Sequence, residues 1–414
     1  MRFLIVTDSI DINDSSGSKA NVALIQNLHK AGFGLKVYHY TRKDISLKGI
    51  PYVAVQEQKA TVAYILSKLQ LTIKRFTGWN ANTYVEKKRG FSFAFFNDSY
   101  SIQKALQAEN PEDYDRILTL SKAGSFRPHK ALLGLPQWHS KWLAYIHDPY
   151  PMHSYPRPYD WVEPGHQKKR NFFLQIAHAC RYALYPSQLL AEWMEGYYKP
   201  LQGKAVIIPH QLSEMSFKKV QLPSFFNKNH FNILHAGTLL WGRDPHGLLQ
   251  GFTLFLEKYP EAKGVARLLF LGGKNHYSDL LEEYAEKFPQ VYVSEDYVPF
   301  EQVYALQQLA TVNVILEAKG PISPFLPGKF PHCVAADRPI LLLGPYYSES
   351  KRLLGEDYPY VAAIDEAEKI AGYLSALYKS WKEQPDTLRL NRPHLTGYLS
   401  EEHLIETFSN LKHL

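Results

Sequence analysis

The sequence predicts two consecutive α/β domains, each built on a parallel sheet, and three observations carry that reading. Short apolar runs of strand length alternate with helical patterns through the first half of the 414 residues. An irregular stretch punctuated by prolines, PHQLSEMSFKKVQLPSFFNKNH, interrupts the pattern. At FNILHAG the alternation restarts, as though a second domain began with its own first strand. The boundaries expected are 1–210 for the first domain, 211–230 for a linker, 231–390 for the second domain and 391–414 for a C-terminal segment.

The strands expected in the first domain are residues 3–7, 35–40, 117–120, 142–146, 182–185 and 206–208. In the second domain FNILHAG, ARLLFLGG, VYVSEDYV, TVNVILEA and RPILLLGP supply them, with helices between. Open parallel sheets bind ligands at the carboxyl ends of their strands, so the ligand is expected in the cleft between the two domains.

Composition narrows the class. Apolar residues make up 45% of the chain, enough for substantial cores, and charged residues at 21% argue against extended disorder. Two cysteines, Cys180 and Cys333, cannot form a disulfide framework, which points to a reducing cytoplasm. No signal-type apolar run follows a basic start, and no apolar run reaches the roughly 18 residues of a membrane span. The net charge of +7 is uneven: residues 1–200 hold 26 Lys and Arg against 16 Asp and Glu, and the rest hold 21 against 24. A basic front half suits an acidic partner such as a phosphorylated acceptor or an anionic lipid surface, or it is ordinary surface charge. Without a binding motif or dense basic–aromatic alternation, nucleic acid is not expected.

Residues 61–77 place Val62, Ile65, Leu66, Leu69, Ile73 and Phe76 on one helical face, with Lys68, Lys74 and Arg75 nearby. Such a stripe most often packs against its own domain; the basic flank makes an interfacial membrane helix the other reading.

Two segments of the second half carry the chemistry. In HAGTLLWGRDPHGLLQGF a strand ends at Gly237, a loop follows, and Arg243 enters just before a helix. Loop amides can approach a diphosphate where glycine lacks a side chain, and arginine offers a planar donor fork. In SPFLPGKFPHCVAADRPILLLGP, Lys329 stands at a helix entrance, where unpaired N–H groups favour an anion. Two converging cations match a doubly charged pyrophosphate better than either alone.

These segments, with RLLFLGG and VYVSEDYVPFEQVYALQQLATVNVIL between them, resemble the nucleotide-sugar glycosyltransferases of the GT-B fold, particularly the large retaining family 4. TDSIDINDSSGSKANVALIQNLHKAGFGLKVYHY, IHDPYP and YALYPSQLLAEWM resemble landmarks of its first domain more loosely. The resemblance implies two Rossmann-like domains and a C-terminal helix returning toward the first. It makes Arg243 and Lys329 the pyrophosphate pair, with Gly237, Thr238, Pro327 and Gly328 beneath the phosphates. Gly272, Gly273, Tyr297, Val298 and Pro299 would line the nucleoside pocket. His147 would sit beside the donor sugar with Asp148, and Gly17 would shape the loop after the first strand.

One departure stands out. The family's two glutamates, eight residues apart, correspond here to Pro324 and His332. His332 could meet a ribose hydroxyl through a ring nitrogen, whereas Pro324 has no side-chain donor or acceptor. Glu317, or backbone amides of residues 320–325, are the candidates to compensate. The implied reaction moves a sugar from a nucleoside diphosphate to a hydroxyl of a glycan or lipid-linked glycan, in surface polysaccharide or glycoconjugate assembly. It would be retaining, with no metal and no cofactor beyond the donor substrate, in the cytoplasm or on the inner face of its membrane. The alternative is a non-catalytic module that keeps this fold. A nicotinamide-dependent dehydrogenase is argued against by the single Gly17 in TDSIDINDSSGSK, where a Gly-x-Gly-x-x-Gly turn would stand.

Overall fold

The run RFLIVT forms β1 (Arg2–Thr7), and five of its six residues are buried. A strand covered on both faces is what a parallel sheet with helices on each side requires. The structure, a computed structural model, describes residues 1–213 and 220–411. Around β1 assemble β2 (Gly34–His39), β3 (Tyr52–Ala54), β4 (Arg116–Leu120), β5 (Trp142–Tyr145), β6 (Tyr182–Tyr185) and β7 (Ala205–Ile207). The order is β3-β2-β1-β4-β5-β6-β7, every pairing parallel.

Alternate residues of β1 feed two cores, as the two-residue period of a strand dictates. Leu4 and Val6 join a cluster with Trp138, Phe126 and Phe173, while Phe3 and Ile5 join Leu24, Leu28 and Leu118. The final helix, Glu401–Leu411, covers the second of these faces with Leu404, Phe408 and Leu411. Its Phe408 ring lies 5.0 Å from Phe3, edge-on. The unit around this sheet comprises residues 1–155 and 159–211 together with the chain from Glu401 onward.

The second unit comprises Leu212–Ser400 and the three residues Pro156–Pro158. Its strands are β8 (Phe231–Ala236), β9 (Ala266–Leu271), β10 (Val291–Val293), β11 (Val312–Leu316), β13 (Ile340–Leu343) and β15 (Val361–Ala362), in the order β10-β9-β8-β11-β13-β15, all parallel. Two short strands, β12 (Ile322–Ser323) and β14 (Tyr347–Ser348), pair separately. In each sheet the strand order reverses at the first strand of the unit, between β1 and β4 and between β8 and β11. That reversal leaves a crevice at the carboxyl ends where neighbouring connections diverge. Of the expected linker 211–230, residues 214–219 lie outside the described ones.

Strands β3, β12, β14 and β15 were not legible in the sequence: the last three have two residues each, too few for a period to register, and none of the three residues of β3 is buried.

Candidate functional site

The second unit concentrates its polar chemistry at the end of β8. Gly237 closes that strand with φ at 125°, a conformation that suits glycine alone. A Cβ there would lie 3.2 Å from the Lys329 ammonium, so Lys329 reaches back over the strand end. Its Nζ stands 3.4 Å from Nε2 of the buried His235, two residues before Gly237 on β8. Arg243 lies in the loop that follows, its N–H donating to the Leu240 carbonyl at 2.9 Å, ahead of helix His246–Lys258.

No carboxylate forms a salt bridge with Arg243 or Lys329 among the described residues, and the buried Arg243 Nε has no hydrogen-bond partner. The consequence is electrostatic. Loss of water, and then the nearby Arg243 guanidinium, push the Lys329 amine down to about 7. Burial, with Lys329 and Arg243 beside it, likewise holds His235 well below the ordinary imidazole range, so it is neutral.

Nearby lysines are treated differently. A cavity of about 480 Å³ beside Gly344 is lined by Lys319, Lys351 and Lys369. All three have carboxylate partners: Asp365 at 2.6 Å, Glu356 at 3.0 Å and Glu366 at 3.2 Å. Arg243 and Lys329, by contrast, make no salt bridge among the described residues.

Several sequence expectations change in detail. The helix after Lys329 spans only Phe330–Ala335, six residues, so its dipole contributes little and the positive charge rests on the two side chains. Glu317, which follows β11, is buried: its Oε1 accepts from the Ser350 hydroxyl at 2.8 Å, and Ser348, the Arg243 charge and Ser323 also lower its pKa. Burial outweighs them and lifts the carboxyl to about 7. His332 is buried with its ring 5.2 Å from Phe300 and 5.4 Å from Tyr304. Gly272 is required by packing, because a Cβ would sit 2.8 Å from the Gly237 carbonyl oxygen; Gly273 has nothing within 4 Å. Thr238, Tyr297 and Gly328 are exposed. Val298 packs partly buried beside Phe226 and Leu306, Pro299 precedes helix Phe300–Leu309, and the Pro327 carbonyl accepts from Phe330 N–H at 2.8 Å.

In the first unit, His147 follows β5 by two residues. Its backbone N–H donates to the Ser121 hydroxyl at 3.1 Å, and its Nε2 lies 2.7 Å from Asn21 Oδ1. Asn21 Nδ2 donates to the Ser121 carbonyl at 3.0 Å, which orients the amide with Oδ1 toward the ring. The ring must then carry its proton on Nε2 and its lone pair on Nδ1. His210 stacks on it at 5.4 Å. Burial, with His210 and His129 nearby, holds His147 well below its usual range. A neutral imidazole of fixed tautomer is an orienting group. Asp148, next in the chain, is half-buried. Gly17 lies inside the first turn of helix Ser16–Lys30 and not in the preceding loop, with the Lys122 side chain 3.3 Å from where a Cβ would stand.

Asn21, Ser121, His210 and His235 were missed by sequence reasoning. No local pattern marks Asn21, whose partners lie 100 and 126 residues away.

The fold and the reversal-point location define a class: the chain has the GT-B fold of two parallel-sheet α/β units. It is similar over its whole length to the UDP-forming α,α-trehalose-phosphate synthase of Burkholderia xenovorans solved with glucose-6-phosphate, at 11% identity and a TM-score of 0.62, covering 100% of this chain and 99% of that one. It is also similar to Anabaena HepE solved with UDP and glucose (11%, 0.59, 100% of each chain) and to a glycosyltransferase from Rickettsia africae (11%, 0.60, 99% and 97%). No family model matches the sequence, and no curated protein does.

Proposed function

We propose that the protein transfers a sugar from a nucleoside-diphosphate sugar to a hydroxyl of a glycan or lipid-linked glycan. The observation that carries the reading is the pair of cations without a salt bridge among the described residues, Arg243 and Lys329, at the reversal point of the second sheet. Cleavage of the sugar–phosphate bond leaves negative charge on the diphosphate and positive character on the anomeric carbon. Fixed cations that gain their counter-ion as that charge develops stabilise the transition state. They also supply the charge a divalent ion would, so turnover is expected to survive a chelator.

A retaining course fits the first unit's chemistry. The acceptor hydroxyl attacks from the leaving-group face, its oxygen bonding to the anomeric carbon as the sugar–phosphate bond breaks, and its proton passes to a phosphate oxygen. His147, neutral and with a bare Nδ1, then orients hydroxyl groups, and Asp148 assists it. A base drawn from the protein would need a higher affinity for protons than His147 has. The reading places the protein in the cytoplasm or on the inner face of its membrane, in surface polysaccharide or glycoconjugate assembly. A non-catalytic binding module is the second reading, favoured by Pro324 and His332 standing where glutamates are expected.

Thermal unfolding against UDP, GDP, ADP, their sugar conjugates and NAD, with and without Mg²⁺, tests the donor. UDP comes first, because similar structures hold UDP or UDP-2-fluoro glucose. A ligand at 100 times its Kd should stabilise by about 2.7 kcal/mol, a shift of a few degrees. A shift with one nucleoside diphosphate and release of that diphosphate during turnover support transfer; binding without turnover supports the module; a shift with NAD alone removes the site.

A further inference from the structure

We propose that helix Val62–Thr77, with the basic helix Asn82–Arg89 that follows it, is a docking surface for an anionic lipid bilayer. It deepens the membrane-side reading of the acceptor given above and rests on that reading for its purpose, though not for its chemistry.

The sequence stripe on helix Val62–Thr77 is the starting point. At 100° per residue, Val62, Ile65, Leu69, Ile73 and Phe76 fall within about 80° of one another. The side that meets the first unit lies elsewhere on the cylinder: the buried residues are Ser67 and Gln70, centred about 130° away. The helix is anchored by that polar side, with the Thr61 cap bonded to Asn97 and the helix packed on Phe93–Leu106. Its apolar side is left in water. Val62 is 73% exposed and Phe76 82%, and Ile65 and Leu69 are exposed with them. Trp79 and Tyr84 continue the exposed apolar surface past the helix end. The commoner expectation, that the stripe packs on its own domain, is reversed here.

Charge selects the occupant. Residues 59–89 carry seven Lys and Arg against the single Glu86, and Glu86 is already engaged by Lys169 at 3.4 Å. Lys68, Lys74, Arg75, Lys87, Lys88 and Arg89 make no salt bridge among the described residues. Lys68 and Lys88 instead lie over the Tyr64 and Tyr84 rings, at 4.9 and 4.6 Å. An apolar stripe bordered by unpaired cations, with tryptophan and tyrosine at its end, matches a bilayer of anionic headgroups over acyl chains. A second copy of this chain would bring the same positive charge to the contact and be repelled. No helix among the described residues is long and apolar enough to cross the membrane, so the surface would lie on it.

The full chain is sedimented with vesicles of phosphatidylcholine alone and of phosphatidylcholine mixed with phosphatidylglycerol, at low and high salt, without nucleotide. Binding to the anionic vesicles, weakened by salt, is expected. Removing Lys87, Lys88 and Arg89 together (each →Ala) should lower partitioning by about a hundredfold, roughly fivefold per cation. Ile65→Ser with Phe76→Ser should lower it by at least about tenfold, with unchanged unfolding temperature since both sides are exposed. The proposal is overturned by no binding at low salt, by equal binding to neutral vesicles, or by both variants binding like the parent. Self-association abolished by Phe76→Ser would assign the face to a second copy and overturn it too. Donor binding is read separately, so loss of the transferase reading leaves this result standing, and the reverse.

Discussion

The two units solve the same topological problem with opposite electrostatics. Each has a parallel sheet whose order reverses at its first strand, and each gathers polar side chains at that reversal. At the first reversal the cations are matched: Lys122 pairs with Asp14 at 2.7 Å, Lys43 with Asp11 at 2.5 Å, and Arg127 with Asp98 at 3.0 Å. At the second, Arg243 and Lys329 face each other's charge without a salt bridge among the described residues, and the buried Glu317 carboxyl, itself lifted to about 7, is the acid that Arg243 feels. A surface whose charges are already paired has little to offer an anion, whereas a strained cation pair gains its missing partner on binding one. The difference teaches that two sheets of one topology need not offer an anion the same reception, and the proposed diphosphate site rests on the second unit's unbridged cation pair and not on the fold alone.

That contrast breaks first at the cations themselves. Arg243→Ala or Lys329→Ala should lower turnover by about 10²–10³, the scale of losing one donor to developing charge. Lys43→Ala, which removes a paired and exposed cation of the first unit, should change it by less than about fivefold. Initial rates of nucleoside-diphosphate release, with circular dichroism to confirm folding, separate the two. Equal effects on both units would dissolve the comparison.

The next effect is on pH. Lys329 is depressed to about 7 in the free protein, and a bound diphosphate restores its charge, so binding takes up a proton near and above neutrality. Donor affinity should therefore fall as pH rises through 7, approaching tenfold per unit above it. Calorimetry in buffers of different ionisation enthalpy should show that uptake, and Lys329→Ala should remove it. Stability of the free protein runs the other way. Between about 7 and the ordinary lysine value the unfolded chain binds more protons than the folded one, so this group makes the protein more stable as pH rises. The first unit's acids act in the same direction in a lower window: Lys43 and then the Asn13 N–H lower Asp11, and Lys122 lowers Asp14, so their contribution is present at neutral pH and is lost as pH falls from the ordinary carboxylate value through the lowered one. His147, held neutral by burial, does not titrate in this window.

The comparison also shows what a sequence can carry. Strands such as RFLIVT, VNVIL and ILLL were legible because burial on both faces leaves a nearly continuous apolar run. Arg243 and Lys329 were legible because each stands at a loop–helix junction marked by Gly and Pro. Their lack of salt bridges was not, since it depends on which acids the fold brings near. For the same reason Glu317 looked available in the sequence and proved to be tied to Ser350. Asn21 sits in an ordinary helical pattern, and only the register of β1, β4 and β5 brings it to His147. The stripe on 62–77 was visible, but periodicity cannot say which side of a helix faces the protein.

The smallest effect separates packing from ligand contact at one loop. Gly272 and Gly273 follow β9 side by side, and the resemblance gives both to the nucleoside pocket. A Cβ on Gly272 would press on the Gly237 carbonyl oxygen at 2.8 Å and the Thr238 nitrogen at 3.2 Å, backbone atoms that cannot rotate aside. Gly272→Ala should therefore destabilise by about 1–3 kcal/mol, a few degrees in Tm, and displace the loop beneath Lys329. Gly273 has open space around it, so Gly273→Ala should leave Tm within about a degree. If that second variant weakens donor binding at unchanged Tm, the space over Gly273 is where the ligand's backbone-close approach occurs. If it leaves donor binding intact as well, the glycine pair serves the fold through Gly272 alone, and the nucleoside must be held by other parts of the unit.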